Sequence, residues 1–351
     1  STFANFAYFG NYTTRIDGPG KVFDFANTSD ITIDNIWNEH MVCLYWGANT
    51  DNMTIKNSRI RNMFADGINM TNGSTNNRVT NNDARATGDD SFALFSAIDA
   101  GGSDEINNVY SNLSSTLTWR AAGIAVYGGY ANTFRNIYIA DTLVYSGITI
   151  SSLDFGYPMN GFGPEPTTFS GITLVRTGGH FWGGQTFPGI WMFSASKPFR
   201  GIRVNDVDII DPTYAGIMFQ TKYNGTTPEN PIQDTVLTNI SISGARLSGA
   251  QVFAFRHNTV GDLARKLARR NAGQEPGNRS RGLHVGGARQ ATTGRDERVG
   301  DRRGQDEQRR PRHQRRDGDH AAFARQRRDR IRLDVECAHC HRTRHAHMLV
   351  D

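Results

Sequence analysis

Ala65-Asp66-Gly67-Ile68-Asn69-Met70 and, 24 residues on, Asp89-Asp90-Ser91-Phe92-Ala93-Leu94-Phe95 are the stretch whose reading decides the fold. Each half opens on a carboxylate, passes through a small residue and continues with apolar side chains at alternate positions. Period-two alternation is a strand signal. Its return at a fixed interval points to a structural repeat.

The repeat extends outward in both directions. An alternating phrase flanked by Asn or Asp recurs as Asp30-Ile-Thr-Ile-Asp34, Asn52-Met-Thr-Ile-Lys56, Asn77-Arg-Val-Thr-Asn81 and Asn108-Val-Tyr-Ser-Asn112, and later as Asn239-Ile-Ser-Ile242. A second phrase follows each copy, beginning near Val42, Ile68, Phe92, Ile124, Ile148, Ile190, Ile217 and Val252, at intervals of 24 to 42 residues. Two strands in constant phase, with loops that lengthen some turns, predict an all-β chain folded as a right-handed parallel β-helix. Val42/Leu44, Ile68/Met70, Phe92/Leu94 and Ile124/Val126 would face the core and their neighbours the outside. Asn at the turns fits, because it tolerates left-handed backbone and can stack in ladders. A β-sandwich would not require turns of constant length.

Charge divides the chain. Residues 1–255 carry 15 Lys+Arg against 21 Asp+Glu, whereas residues 256–351 carry 24 against 13, so the formal +5 describes neither part. The domain reading is therefore 1–255, a partial β-helix domain, and 256–351, a basic Arg-rich segment without a clear fold. That second segment holds 23 Arg, eight of the ten His and one aromatic residue, Phe323, with no strand period. It reads best as an out-of-frame translation of GC-rich DNA. The competing readings are a disordered basic tail and a small zinc site at Cys337, His339, Cys340 and His341, for which one Cys-x-x-Cys is a weak signal. No apolar run reaches the ~18 residues of a membrane helix, and Cys43 alone allows no disulfide framework in the first part. The chain opens at Ser1 without a signal-peptide pattern, as a mature piece or fragment would.

In a β-helix the 24-residue interval stacks Asp66 over Asp90, with Cα atoms about 4.8 Å apart, and sets Asp89 beside them. Mutual repulsion and desolvation then raise at least one carboxyl pKa. A protonated carboxyl beside ionised ones is what glycosidic cleavage needs, one group as acid for the leaving oxygen and another as base for water. A calcium site or Asx turns are the alternative uses of such residues. The outward positions of the same sheet would line a cleft and bind sugar: Asn69, Phe95, Tyr127, Trp191 and Gln220, with Tyr45 and Trp46 one turn earlier. Thr71 and Phe193 share that face, while Trp119, His180 and Trp182 sit in insertions that would wall the cleft.

Ala65-Asp-Gly-Ile-Asn69, Asn81-Asn82 and Arg85-Ala-Thr-Gly-Asp-Asp90 resemble glycoside hydrolase family 87, the bacterial α-1,3-glucanases and mycodextranases. The resemblance implies a β-helix catalytic domain and inverting endo-hydrolysis of α-1,3-glucan. It implies Asp89 as general acid, with Asp66 and Asp90 activating water. Inversion would set acid and base about 6.5–9.5 Å apart. Polygalacturonases share the Gly-Asp-Asp element but expect Asn-Thr-Asp, Gly-His-Gly and Arg-Ile-Lys where this chain has Phe64-Ala-Asp66, Ala121-Ala-Gly123 and Ser146-Gly-Ile148. With Arg120 and Lys222 placed far from the carboxylates in turns, a neutral glucan fits better than a polyuronate. Dextranases and a non-catalytic β-helix adhesin are the rivals. The expectations are completed by no cofactor or metal, no nucleic-acid or membrane partner, a monomer, and secretion.

Overall fold

In the computed structural model, residues 1–15, 20–181, 184–225 and 227–253 are described. For 248–253 and two short pieces, Arg332–Asp334 and His347–Leu349, this extends to the backbone only. The rest of the basic segment, including Cys337 and Cys340, lies outside the described residues, as does Trp182.

Two long parallel sheets run along the chain, with no α-helix among the described residues. Among the described residues no helix is long and apolar enough to cross a membrane. The first sheet contains Thr2–Phe9, Thr32–Glu39, Val109–Thr116, Thr133–Ala140, Thr167–Val175, Ile202–Ile210 and Thr235–Ser243. Between its second and third members, two coils are split into Thr54–Lys56 with Arg59–Arg61 and Arg78–Thr80 with Asp83–Arg85. Each coil bends midway at a residue in left-handed conformation. Asn35, Asn57, Asn81, Asn112, Asn136 and Asn239 have φ between 50° and 56°. Asn pays least for that conformation among non-glycine residues. The amides also bond from coil to coil, Asn81 to Asn57 at 3.3 Å, Asn112 to Asn81 at 3.0 Å and Asn136 to Asn112 at 2.6 Å. This is the expected Asn ladder.

The second sheet carries the candidate site. It is built, one strand per coil, from Lys21–Ser29, Cys43–Asp51, Ile68–Thr71, Phe92–Phe95, Ile124–Tyr127, Ile148–Ser151, Ile190–Ser194, Ala215–Thr221 and Ser248–Phe253. Its register stacks Ile68, Phe92, Ile124, Ile148, Ile190 and Ile217 in one inward column and Met70, Leu94, Val126, Ile150, Met192 and Phe219 in another. These side chains form the core with Ile33, Ile55, Val79, Phe134 and Phe169 of the first sheet. Each contributes about 1.5–3 kcal/mol by burial, and apolar neighbours above and below let each coil bury its inward face on the next.

One position departs from the expected alternation. Tyr45, not Leu44, registers with Ile68, and the N–H groups of both Leu44 and Tyr45 donate to the Gly67 carbonyl, at 3.0 and 3.3 Å. Two residues opposing one is a β-bulge. Both side chains are consequently core residues with no exposed surface. Tyr45 is thus removed from the expected cleft, and its hydroxyl instead bonds Thr50 at 3.1 Å.

Candidate active site

Asp66 and Asp90 occupy the same place in successive coils. The Gly67 N–H donates to the Asp90 carbonyl at 3.0 Å, Ile68 N–H to the Ser91 carbonyl at 3.1 Å, and Asp89 N–H to the Ala65 carbonyl at 3.1 Å. These bonds stack the corner preceding each strand so closely that a Cβ on Gly67 would lie 2.3 Å from the Ser91 carbonyl oxygen. Gly88 is equally confined, its Cβ position lying 2.2 Å from the Trp119 ring and 2.6 Å from the Phe64 carbonyl oxygen. Glycine is required at both positions by close approach.

The corner releases Asp66 and Asp90 from the inward phase of Ile68 and Phe92. One carboxylate oxygen from each of Asp66, Asp89 and Asp90 lies within 4.8 Å of one from each of the others. That is shorter than the 6.5–9.5 Å expected of an inverting pair, so the separation itself does not single out inversion. The grouping would also suit a cation, although Arg15 and Arg120 already bring positive charge to it. Arg120 Nη1 lies 2.9 Å from Asp89 Oδ2, and Arg15 Nη1 pairs with the same oxygen. Arg120 is therefore not remote. It lies one coil beyond Asp89, the coil that carries Ile124 above Phe92.

The two other carboxylates are held differently. Asp66 accepts from Asn69 Nδ2 at 2.9 Å, and burial, then the Asp89 charge, raises its pKa to about 7. Asp90 accepts from the Ala122 N–H at 2.8 Å and from the Tyr127 hydroxyl at 3.1 Å. Burial, then the charges of Asp89 and Asp66, nevertheless push its pKa well above the ordinary carboxylate range. The cluster therefore combines an ion-paired carboxylate with two buried carboxyls that hold protons near neutrality. Such a cluster can give and accept protons near neutral pH.

The expected sugar-binding residues divide into three groups. Asn69 and Tyr127 are buried and support the carboxylates, and the Asn69 Oδ1 has no hydrogen-bond partner although it is buried. Trp191, 3% exposed, does not open to the cleft, because Tyr145, in the corner before Ile148–Ser151, and Phe187, in the inserted hairpin Gly179–Phe187, cover it. Trp46, Phe95 and Gln220 remain half-buried on the outward face. Phe95 meets Tyr127 edge-on at 5.5 Å and the exposed Tyr157 at 6.5 Å. Trp46 lies in register with Asn69, with the Lys21 ammonium 4.8 Å above its ring. Trp119 and His180 are exposed, and Trp119 packs at Gly88 beside Asp89.

Arg15, Arg120, Tyr145 and the Ala122 N–H were not among the expected site residues. For Arg120 and Ala122 the repeat held the signal, since counting one coil from Gly88 and Asp90 reaches them. Arg15 lies on an irregular segment before the second sheet, and no periodicity points to it.

The profile for the family described as alpha-1,3-glucanase catalytic domain D2 matches residues 1–263. Three similar solved structures are of the catalytic domain of a GH87 alpha-1,3-glucanase, each with one aspartate replaced by alanine. Two, in complex with tetrasaccharides, are 42% and 39% identical, with TM-scores of 0.67 and 0.64; they match 73% and 74% of this chain and 52% and 54% of their own. The third, in complex with nigerose, is 38% identical, covers 74% of this chain and 54% of its own, and has a TM-score of 0.65. The chain thus spans about half the length of these relatives. Their substituted aspartates are an adjacent pair and a third residue 23 positions before the first of the pair, the spacing of Asp66, Asp89 and Asp90. No relative was found among curated protein sequences. Matched over three quarters of its length and carrying the same aspartate spacing, the chain belongs to the GH87 alpha-1,3-glucanase catalytic-domain family.

Proposed function

We propose that this chain hydrolyses α-1,3-glucosidic bonds within α-glucan by general acid–base catalysis, and that it does so with inversion. The observation that carries the reading is the gathering of Asp66, Asp89 and Asp90 within 4.8 Å, two of them buried with raised pKa values. Asp89, the most accessible of the three, is the acid for the leaving glucosyl oxygen. Asp66 and Asp90 are too close and too buried to ionise independently. Sharing a proton, they leave one oxygen free to accept another from water, and the unpartnered Asn69 Oδ1 beside them supplies an acceptor for that water or a sugar hydroxyl. In the sugar-free structure Asp89 is ion-paired. Those ion pairs must open for Asp89 to reach the leaving oxygen.

Hydrolysis of α-1,3-glucan, nigeran, dextran and polygalacturonate, followed by NMR of the first product, tests the reaction. Release of β-anomeric ends from α-1,3-glucan is expected; α-anomers would refute inversion, and turnover of dextran alone would refute the linkage. α-Glucosyl fluoride, which needs no acid, separates the roles. Asp89→Asn should lose glucan hydrolysis but still cleave the fluoride, whereas Asp66→Asn and Asp90→Asn should lose both. A polymeric glucan does not cross membranes, so the reaction belongs outside the cell. Activity in the culture medium of the source organism tests that.

A further inference from the structure

On the same outward face, away from the carboxylates, lies a cavity of about 360 Å³ lined by Phe193, Gln220, Thr221, Lys222, Tyr223 and Gly225. That volume is at the lower end of small-molecule sites. We propose that this cavity is a distal subsite for a neutral glucosyl unit of the same glucan chain, a proposal that rests on the hydrolase reading above.

The register fixes its place. Phe193 and Gln220 lie in the column that begins at Phe95 and passes through Tyr127 and Ser151. They are three and four coils beyond the strand that follows Asp90, or about 14–19 Å along the axis at 4.8 Å per coil. A sugar ring is about as long as a coil is thick, so a chain bound at the carboxylates reaches the cavity after roughly three to four units.

Its lining suits a sugar. Phe193 stacks on Trp191 at 5.0 Å and 22°, which fixes an aromatic ring in the wall. Gln220 Oε1 is occupied by Trp191 Nε1 at 2.8 Å and Gln185 Nε2 at 3.2 Å. Its amide nitrogen donates to no described residue and is left for a ligand. The Tyr223 hydroxyl is buried and has no partner, an arrangement that costs stability until something bonds it. Lys222 is neutralised by Glu229 at 3.1 Å, so the wall holds no unpaired charge for a uronate carboxylate. Aromatic surface, a free amide donor, an unpaired hydroxyl and balanced charge describe a site for a neutral polyol.

Calorimetric titration of the 351-residue chain carrying Asp90→Asn, which binds without turnover, tests the subsite with α-1,3-linked oligosaccharides from the disaccharide to the heptasaccharide. Affinity is expected to step up about tenfold, 1.4 kcal/mol, between the tri- and hexasaccharide. Tyr223→Phe, which keeps the ring, and Phe193→Ala should each remove most of that step while trisaccharide affinity stays within twofold. Absence of a step in the parent, or a step that survives both variants, would overturn the subsite. Failure of the hydrolase reading is distinguishable, because it would appear as no glucan cleavage by the unsubstituted chain whatever the length dependence of binding.

Discussion

Tyr127→Phe removes one oxygen atom from the site and nothing else. The ring is 9% exposed and packs edge-on against Phe95 at 5.5 Å and Phe155 at 4.9 Å, contacts that phenylalanine keeps. What is lost is the hydroxyl donor to Asp90 Oδ2 at 3.1 Å, leaving the Ala122 N–H on the other oxygen. A hydrogen bond to a charged acceptor is worth about 1.5–3 kcal/mol, and a bond of this length belongs at the lower end. At 1.36 kcal/mol per pKa unit, Asp90 should become harder to ionise by about one unit. It already lies well above the ordinary range, because burial and the neighbouring carboxylates outweigh its two donors. If Asp90 helps take the proton from water, it must be ionised to do so. The acidic limb of the kcat/KM profile on a soluble α-1,3-linked oligosaccharide should then move up by about one pH unit, with activity recovered at higher pH. A uniformly reduced rate with an unmoved limb would show that the hydroxyl does not act through Asp90, and would remove Asp90 from the base role.

Two further outcomes follow from burial. Asp66 titrates at about 7 in the fold against an ordinary 3.8, so the fold favours its protonated form. That contribution is complete below about pH 4 and is lost as pH rises through 7. Asp66→Asn should therefore gain on the parent in urea midpoint across that window, and a pH-independent gap would contradict the raised pKa. Tyr45→Ala should cost about 3–5 kcal/mol as a core cavity, whereas Trp46→Ala should cost less and act on KM; the reverse pattern in denaturation and kinetics would put the bulge in the wrong place.

The solenoid was legible in the sequence because its determinants are local and repeated. Alternating aliphatic residues specify a strand face, Asn at Asn57, Asn81 and Asn112 specifies a left-handed bend, and a fixed interval stacks one coil on the next. The same interval brought Asp66 over Asp90. Single-turn alternation failed at Leu44 and Tyr45, since a bulge changes the phase without changing the residue types that a strand favours. It also failed to separate Trp191 from Phe193. The two face the same way, and only the corner carrying Tyr145 and the hairpin carrying Phe187 decide that one is covered.

From residues alone came the coil, the three carboxylates and their grouping, because period and register are properties of neighbouring sequence. The tertiary structure alone decided the state of those carboxylates. Arg15 and Arg120 meet on Asp89 from segments 105 residues apart. Asn69, Tyr127 and the Ala122 N–H divide between Asp66 and Asp90. Proton affinity depends on desolvation and on charges a few ångströms away, and those distances exist only once the coils are stacked.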